Sequence, residues 1–313
     1  LLKGNSLTDL TGGFGIDCSF LATGFRSATY VERQTELCAI AAHNFPALDL
    51  NHISVRNDDG VAYLEAMSPG DCIFLDPARR NEHGGKTVAI SDCEPNVAKL
   101  EGLLLSKANR IMIKLSPMLD LSQALKELPH TQEVHIISVN NECKELLLLL
   151  GQTAPEEIPV HCVNLSTKGE QEKQLFVFTR EQEQHSECSY TDTLGNYLYE
   201  PNASLLKAGA FRSIAAAYSV KKLHPNSHLY TSETQIEGFP GRTFRIINRC
   251  SLNKKEIKEN LSDLKKANIT VRNFPATVAE LRKRIKLAEG GDTYLFASTL
   301  NDGQKILIRC GKV

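Results

Sequence analysis

The chain has 313 residues, 42% hydrophobic and 23% charged, with a formal net charge of -1. That length is near two average domains, and the composition excludes a disordered, collagen-like or disulfide-stapled miniature protein. Nine scattered cysteines without a Cys-x-x-Cys pair, and no apolar run near the ~20 residues of a membrane helix, point to reduced thiols in a cytoplasmic protein with no membrane contact.

Residues 1–150 alternate short apolar runs with longer amphipathic stretches. Strands are expected at Ser6–Leu10, Ala28–Val31, Ile53–Asn57, Cys72–Leu75, Arg110–Leu115 and Glu133–Val139. Helices are expected between them, at Ile16–Thr23, Gln34–Ala47, Gly60–Ala66, Pro95–Lys107 and Leu119–Glu127. This alternation predicts an α/β, doubly wound parallel sheet with helices on both faces. Lys173–Phe178 reads as a late antiparallel strand beside Val160–Leu165. Arg180–Cys188 is polar and without period, and reads as a linker.

Beyond that linker, Asn253–Ala267 and Ala276–Ala288 have helical spacing, with Asn253 and Glu256 placed to cap the first. Thr293–Ser298 and Lys305–Arg309 form a hairpin around Asn301-Asp302-Gly303. The boundaries that follow are 1–180 for the first domain and 190–313 for a smaller α+β domain. Charge divides unevenly: residues 241–313 hold 16 Lys+Arg against 7 Asp+Glu, a balance of +9 on an acidic body. Such a block suits an anionic partner. The chain opens on Leu1 just ahead of a strand, so a preceding segment is expected.

The chemistry-bearing pattern sits at successive strand ends. Ser6–Leu10 runs into Thr11-Gly12-Gly13-Phe14-Gly15, a turn that allows close backbone approach to a ligand at the carboxyl end of the first strand. Glu32 ends the second strand, where an acid can accept both ribose hydroxyls. Asn57-Asp58-Asp59 follows the third strand, and Asp76-Pro77-Ala78-Arg79 the fourth. Each alone fits a turn or a helix cap. Four polar strand ends in succession converge on one crevice. His224 and His228 are four apart, but Pro225 disfavours the helix that would align them, so no metal is expected.

These residues resemble the class I S-adenosylmethionine (SAM)-dependent methyltransferases. The family pattern is an acidic residue before a glycine turn, acids after strands two and three, and Asp/Asn-Pro-Pro-aromatic after strand four. Asp9, Gly13, Gly15, Glu32, Asp58 or Asp59, and Asp76-Pro77 match it. Thr11 stands where the first glycine is expected, as in the trimethylguanosine synthase group. The strings DLTGGFGID, FLDPARR and IKLSP, with YLYEPNASLLKAGAF, RNFPATVAELRKRIK and GGDTYLF, resemble a bacterial group of methyltransferases with a C-terminal THUMP-like domain.

The resemblance implies a Rossmann-like sheet, a SAM cofactor and an RNA partner. It implies a cofactor site at Asp9, Thr11, Gly12, Gly13, Phe14, Gly15, Asp17, Glu32, Asn57, Asp58, Asp59 and Asp76. By the same resemblance Asp76 and the Pro77 carbonyl hold the acceptor. Ala78 and Arg79 replace a proline and an aromatic, so Arg79 and Arg80 are expected on a phosphate or stacked on a base, and Arg79 joins the catalytic set. Lys114, at the end of the fifth strand, faces the same edge and is expected to contact the substrate. Arg282, Lys283 and Arg284 are the expected RNA-docking cations of the THUMP-like domain. The reading is a SAM-dependent methyltransferase acting on a base in structured RNA, rRNA or tRNA. Its rivals are a protein or small-molecule methyltransferase, a non-catalytic RNA-binding module, and an NAD-dependent oxidoreductase. The oxidoreductase lacks Gly-x-Gly-x-x-Gly spacing here. The sequence leaves the oligomeric state open.

Overall fold

The computed structural model describes residues 2–79, 89–167 and 173–313. The chain divides into two compact units, Leu1–Ile137 with Cys143–His161, and Ser138–Glu142 with Cys162–Val313.

The first unit is built from β1 (Gly4–Asp9), α1 (Ile16–Ala22), β2 (Phe25–Glu32), α2 (Thr35–Ala47), β3 (Ile53–Asn57), α3 (Gly60–Ala66) and β4 (Gly70–Leu75). A short pair follows, β5 (Ala78–Arg79) and β6 (Cys93–Glu94), then α4 (Val97–Lys107), β7 (Ala108–Leu115), α5 (Leu121–Glu127), β8 (Thr131–Val139), β9 (Glu142–Gly151) and β10 (Pro159–Leu165). Within this unit the sheet runs β10-β8-β9-β7-β4-β1-β2-β3. Strands β3, β2, β1, β4 and β7 are parallel neighbours. The chain order reverses between β1 and β4, so β1 and β4 flank the switch point where such sheets bind ligands. β9 lies antiparallel to β7, with Ile111 opposite Leu150 and Leu115 opposite Leu146.

Sequence reading missed β9. Leu146 to Leu150 are all buried, so one run of leucine serves both faces and shows no period of two. The core beneath the crevice gathers Leu7, Tyr30, Phe45, Phe74 and Met112. Cys18 and Cys38 sit in that core as thiols.

The second unit takes the end of β10, then β11 (Lys173–Thr179), α6 (Arg180–His185), β12 (Tyr197–Pro201), α7 (Ala203–Ala208), α8 (Arg212–Tyr218), β13 (Lys221–Lys222) and β14 (Tyr230–Ser232). β15 (Gly241–Cys250), α9 (Lys254–Leu261), β16 (Asn268–Arg272), α10 (Val278–Ile285), β17 (Thr293–Thr299) and β18 (Lys305–Lys312) complete it. β10 and β11 are neighbours, as expected. A seven-stranded sheet runs β13-β14-β12-β15-β18-β17-β16. β17 and β18 form the expected antiparallel hairpin, with Gly303 at φ 86° in its turn. Leu198, Phe244, Phe296 and Ile308 form one core of this unit, and Leu261, Leu281, Leu295 and Leu307 another.

The expected linker at Arg180–Cys188 is in part helical. Thr179 accepts the Gln182 amide while Gln182 accepts the Thr179 amide, a reciprocal cap that starts α6 without an apolar stripe. Glu183 then caps α8, accepting the amides of Phe211, Arg212 and Ser213. α9 ends earlier than its spacing suggests, at Leu261, and Asn253 caps it by accepting the Glu256 amide at 2.8 Å. No helix of the described residues is long and apolar enough to cross a membrane.

Candidate active site

The turn after β1 is shaped from below by two aromatic rings. Tyr30 and Phe45 meet edge to face at 5.5 Å. A Cβ on Gly12 would lie 2.3 Å from the Tyr30 ring, and one on Gly15 would lie 2.9 Å from Phe45. Gly13 and Gly15 also hold φ of 52° and 77°, where a side chain is strained. The Tyr30 hydroxyl donates to the Gly13 carbonyl and fixes the turn from beneath. Gly60 meets the same end of β1, since its Cβ would lie 2.2 Å from the Leu10 carbonyl oxygen.

Above this turn lies a cavity of about 520 Å³. Thr11, Gly13, Glu32, Asp59 and Asp76 line it, so the ends of β1, β2, β3 and β4 do meet in one crevice. Glu32 accepts the Gly13 amide on Oε2 at 2.9 Å and the Gln34 amide on Oε1 at 2.8 Å. Both oxygens are therefore held in place, Oε2 on the turn and Oε1 on the start of α2, each with a further lone pair. Asp59 accepts the amides of Val61 and Ala62 and caps α3. This separates it from Asp58, whose carboxylate accepts its neighbour's amide and does not line the cavity.

Several expected cofactor residues stand elsewhere. Asn57 ties β2 to β3, donating to the Glu32 and Arg33 carbonyls and accepting the Thr35 hydroxyl. Phe14 is 68% exposed and Gly12 is pressed on Tyr30, so neither lines the cavity. Asp9 is buried behind the turn, where it accepts the Thr11 amide at 3.0 Å. Burial raises the Asp9 carboxyl from 3.8 to about 7, with the Thr11 hydrogen bonds opposing and Asp17 and Asp76 adding to the rise.

Thr11 explains itself in the structure. Its Oγ1 accepts the Asp76 amide at 2.7 Å, so the hydroxyl joins the β1 turn to the end of β4. A glycine there has no such acceptor. Asp76 in turn meets the Lys114 ammonium at 2.8 Å, and the same ammonium meets Asp17 at 2.5 Å. Burial raises the Asp76 carboxyl, and Lys114 opposes the rise. Burial alone would lower the Lys114 ammonium, but its two carboxylates outweigh this and hold it above the ordinary range. Glu145, on β9, is the missed member of this group. Burial raises it, Lys114 opposes, and Asp17 and Asp76 add to the rise. Three carboxylates thus act on one ammonium, and of this group Asp76 lines the cavity.

The far wall was also unread in sequence. Glu94, Pro95, Asn96 and Lys99 face the strand ends, with Asn96 capping α4 by accepting the Lys99 amide. An asparagine ahead of an amphipathic run was the available signal. Ala78 lines the cavity and Pro77 is buried beside it. The Arg79 side chain and Arg80 lie outside the described residues.

In the second unit, basic residues divide into two sets. Arg242 and Arg272 both pair with Glu200, whose side chain is 1% exposed. Arg309 pairs with Asp263 at 2.7 Å. Arg282 donates to the Ala267 carbonyl and lies 4.0 Å from Glu289, and Arg284 donates to the Leu252 carbonyl. Lys283 is exposed, as are Lys254, Lys255 and Lys286. Of the three expected docking cations, Lys283 and Arg284 are exposed and Arg282 is half-buried. His224 and His228 do not converge: His228 stacks on Phe211 at 3.7 Å, and His224 Nδ1 meets the Asn226 amide.

Comparison with known proteins gives a family. A ferredoxin-like domain family matches residues 197–240, and a THUMP domain-like family matches residues 241–312. Both matches lie in the single seven-stranded sheet, joined where β12 pairs with β15. No curated protein matches the chain. A candidate methyltransferase from Porphyromonas gingivalis W83 is 39% identical, with a TM-score of 0.90 over 100% of this chain and 78% of its own. Two further solved structures are looser. A Streptococcus mutans protein in complex with SAH is 12% identical over 49% of this chain and 91% of its own, with a TM-score of 0.35. An rRNA methylase from Streptococcus thermophilus is 13% identical over 49% and 89%, at 0.36. Likeness that loose carries no argument. The match over the whole of this chain, the sheet order and the THUMP-like segment place the chain in the class I methyltransferase family that carries a C-terminal THUMP-like domain.

Proposed function

We propose that this protein transfers a methyl group from SAM to a base in structured RNA, rRNA or tRNA. The observation that carries the reading is the convergence of Thr11, Gly13, Glu32, Asp59 and Asp76 on one cavity at the switch point of the sheet. Its volume, about 520 Å³, falls within the ~300–1,000 Å³ of small-molecule and cofactor pockets. The residues suit the group: Glu32 is placed for ribose hydroxyls, Asp59 stands at the next strand end, and the acidic lining of Glu32, Asp59, Asp76 and Glu94 favours a cationic sulfonium.

SAM brings a methyl already activated by its sulfonium, so the protein's task is to orient the acceptor and exclude water. Asp76 Oδ2 is held by Lys114, which fixes the carboxylate plane. The other Asp76 oxygen and the Pro77 carbonyl are the groups assigned to the acceptor. Arg79 and Arg80 follow directly in sequence, where cations can take an RNA phosphate or stack on a base. The exposed lysines of the THUMP-like domain add sequence-independent phosphate attraction.

Calorimetry with SAM, its demethylated product and NAD is the first test. SAM and product are expected to bind, and NAD is not; NAD binding alone overturns the assignment. RNA binding without affinity for SAM or its product would make the chain a non-catalytic RNA module. The second test compares modified nucleosides, by mass spectrometry, in RNA from cells with and without the gene. SAM binding with no change in RNA methylation would leave a protein or small-molecule acceptor.

A further inference from the structure

We propose that Glu133, His135 and His161 form a site for one divalent transition-metal ion of the zinc type. Glu133 and His135 are two residues apart on β8, so the pleat puts both side chains on one face. β10 is the next strand, and the His161 ring lies flat on the His135 ring, with centroids 4.3 Å apart and planes 12° apart. One ligand atom from each of the three residues lies within 4.8 Å of the other two. Among the described residues no other trio of such atoms converges this closely.

The dimensions and the chemistry agree. Tetrahedral zinc with bonds of about 2.0–2.2 Å sets its ligand atoms roughly 3.4 Å apart. Glu133 Oε2 and His135 Nε2 are already 3.2 Å apart, so seating an ion needs movement mainly from His161. Two imidazoles and one carboxylate suit zinc, cobalt and nickel, and reject calcium and magnesium, which want oxygen. A metal needs neutral imidazole. Burial lowers the His135 pKa, with Glu133 opposing and His161 adding to the fall. The Glu133 side chain is 43% exposed against 7% for His135, which leaves an entry path and a fourth position open to solvent. β8 is separated from β4 by β9 and β7, so this site is distinct from the crevice.

The sequence concealed it because Glu-x-His is a two-residue strand spacing whose third ligand arrives 26 positions after His135.

The full chain, stripped with chelator, should be titrated with Zn²⁺ by calorimetry and with Co²⁺ by absorption. One ion per chain is expected, with a cobalt spectrum of nitrogen and oxygen ligation. His161→Gln and Glu133→Gln, both at partly exposed positions, should each weaken binding by about a hundredfold or more, since losing a ligand costs more than the ~10–100-fold of an outer-shell change. Zn²⁺ should raise the melting temperature of the unaltered chain and leave that of His161→Gln unmoved. His135→Gln is a third variant, read only if its chelated form melts like the parent. The proposal is overturned by no stoichiometric binding, by equal binding in His161→Gln, or by sulfur-to-cobalt charge transfer, which would put the ion on a cysteine. Neither SAM binding nor methyl transfer enters the readout.

Discussion

Asp9 keeps a carboxyl group with 1% of its surface exposed, and burial lifts it from 3.8 to about 7. A buried acid whose folded pKa is raised stabilises the fold only while protonated. That contribution is fully present below about pH 4 and is lost as pH rises through about 7, at roughly 1.4 kcal/mol for each pH unit crossed. Asn keeps the oxygen that accepts the Thr11 amide and carries no charge. Asp9→Asn should therefore match the parent near pH 4 and exceed it in stability at pH 8, by urea denaturation at both values. An equal pH slope in parent and variant would remove Asp9 as the cause. An acid retained at such a cost, between Asp17 and Asp76, is the pattern of a functional site. His135 shows the opposite case, a base held neutral by burial beside a second imidazole.

At the scale of elements, the bond that matters most is between the β1 turn and the β4 end. Thr11 Oγ1 is the acceptor for the Asp76 amide, at 2.7 Å. Thr11→Gly restores the residue common in the wider family and removes that acceptor, leaving a half-buried N–H without its partner. The expected cost is about 1–3 kcal/mol, with a larger fall in methyl transfer than in SAM affinity, because Asp76 moves. Thr11→Ser keeps the hydroxyl and should restore transfer to within about twofold, since the hydrogen bond survives. Single-turnover rates beside binding constants check both. If Thr11→Ser fails as fully as Thr11→Gly, the methyl group and not the hydroxyl is what the turn requires.

The same scale explains what could be read in advance. The β1 to β4 alternation was legible because each strand is short, apolar and closed by a polar turn, and Glu32 and Asp59 stand at those closures. The choice between Asp58 and Asp59 needed coordinates, since both fit a cap and only Asp59 accepts Val61 and Ala62. β9, with Glu145, was hidden by five successive leucines, and α6 by its want of an apolar face. The wall from Glu94 to Lys99 comes from a separate loop and helix start that no strand-end pattern marks. Asn57 and Phe14 adjoin the same strand ends without lining the cavity. Adjacency in sequence does not say which way a side chain faces.

For the whole molecule, the positive balance of residues 241–313 overstates what an RNA would meet. Arg242 and Arg272 are paired with the buried Glu200 and Arg309 with Asp263, whereas Arg282 and Arg284 bond neutral carbonyls and keep their charge. The exposed lysines, with Arg284, carry the remaining attraction. Lys254→Glu, Lys255→Glu and Lys283→Glu together should weaken RNA binding and flatten its salt dependence, with SAM affinity unchanged. Filter binding across a salt series measures this. An unchanged slope would place the RNA contact elsewhere. Charge reversal at Arg282 and Arg284 would instead disturb the packing of α10, so those positions make a poor test of docking.

The buried thiols offer a clock for the two units. Cys18, Cys38 and Cys72 lie in the first, and Cys250 and Cys310 in the second, each with at most 6% of its surface exposed. An alkylating reagent can reach them only when the surrounding unit opens. Pulse labelling followed by peptide mapping therefore times the breathing of each unit separately in the unaltered chain. A ligand that settles on one unit announces which one by slowing that set of cysteines and not the other.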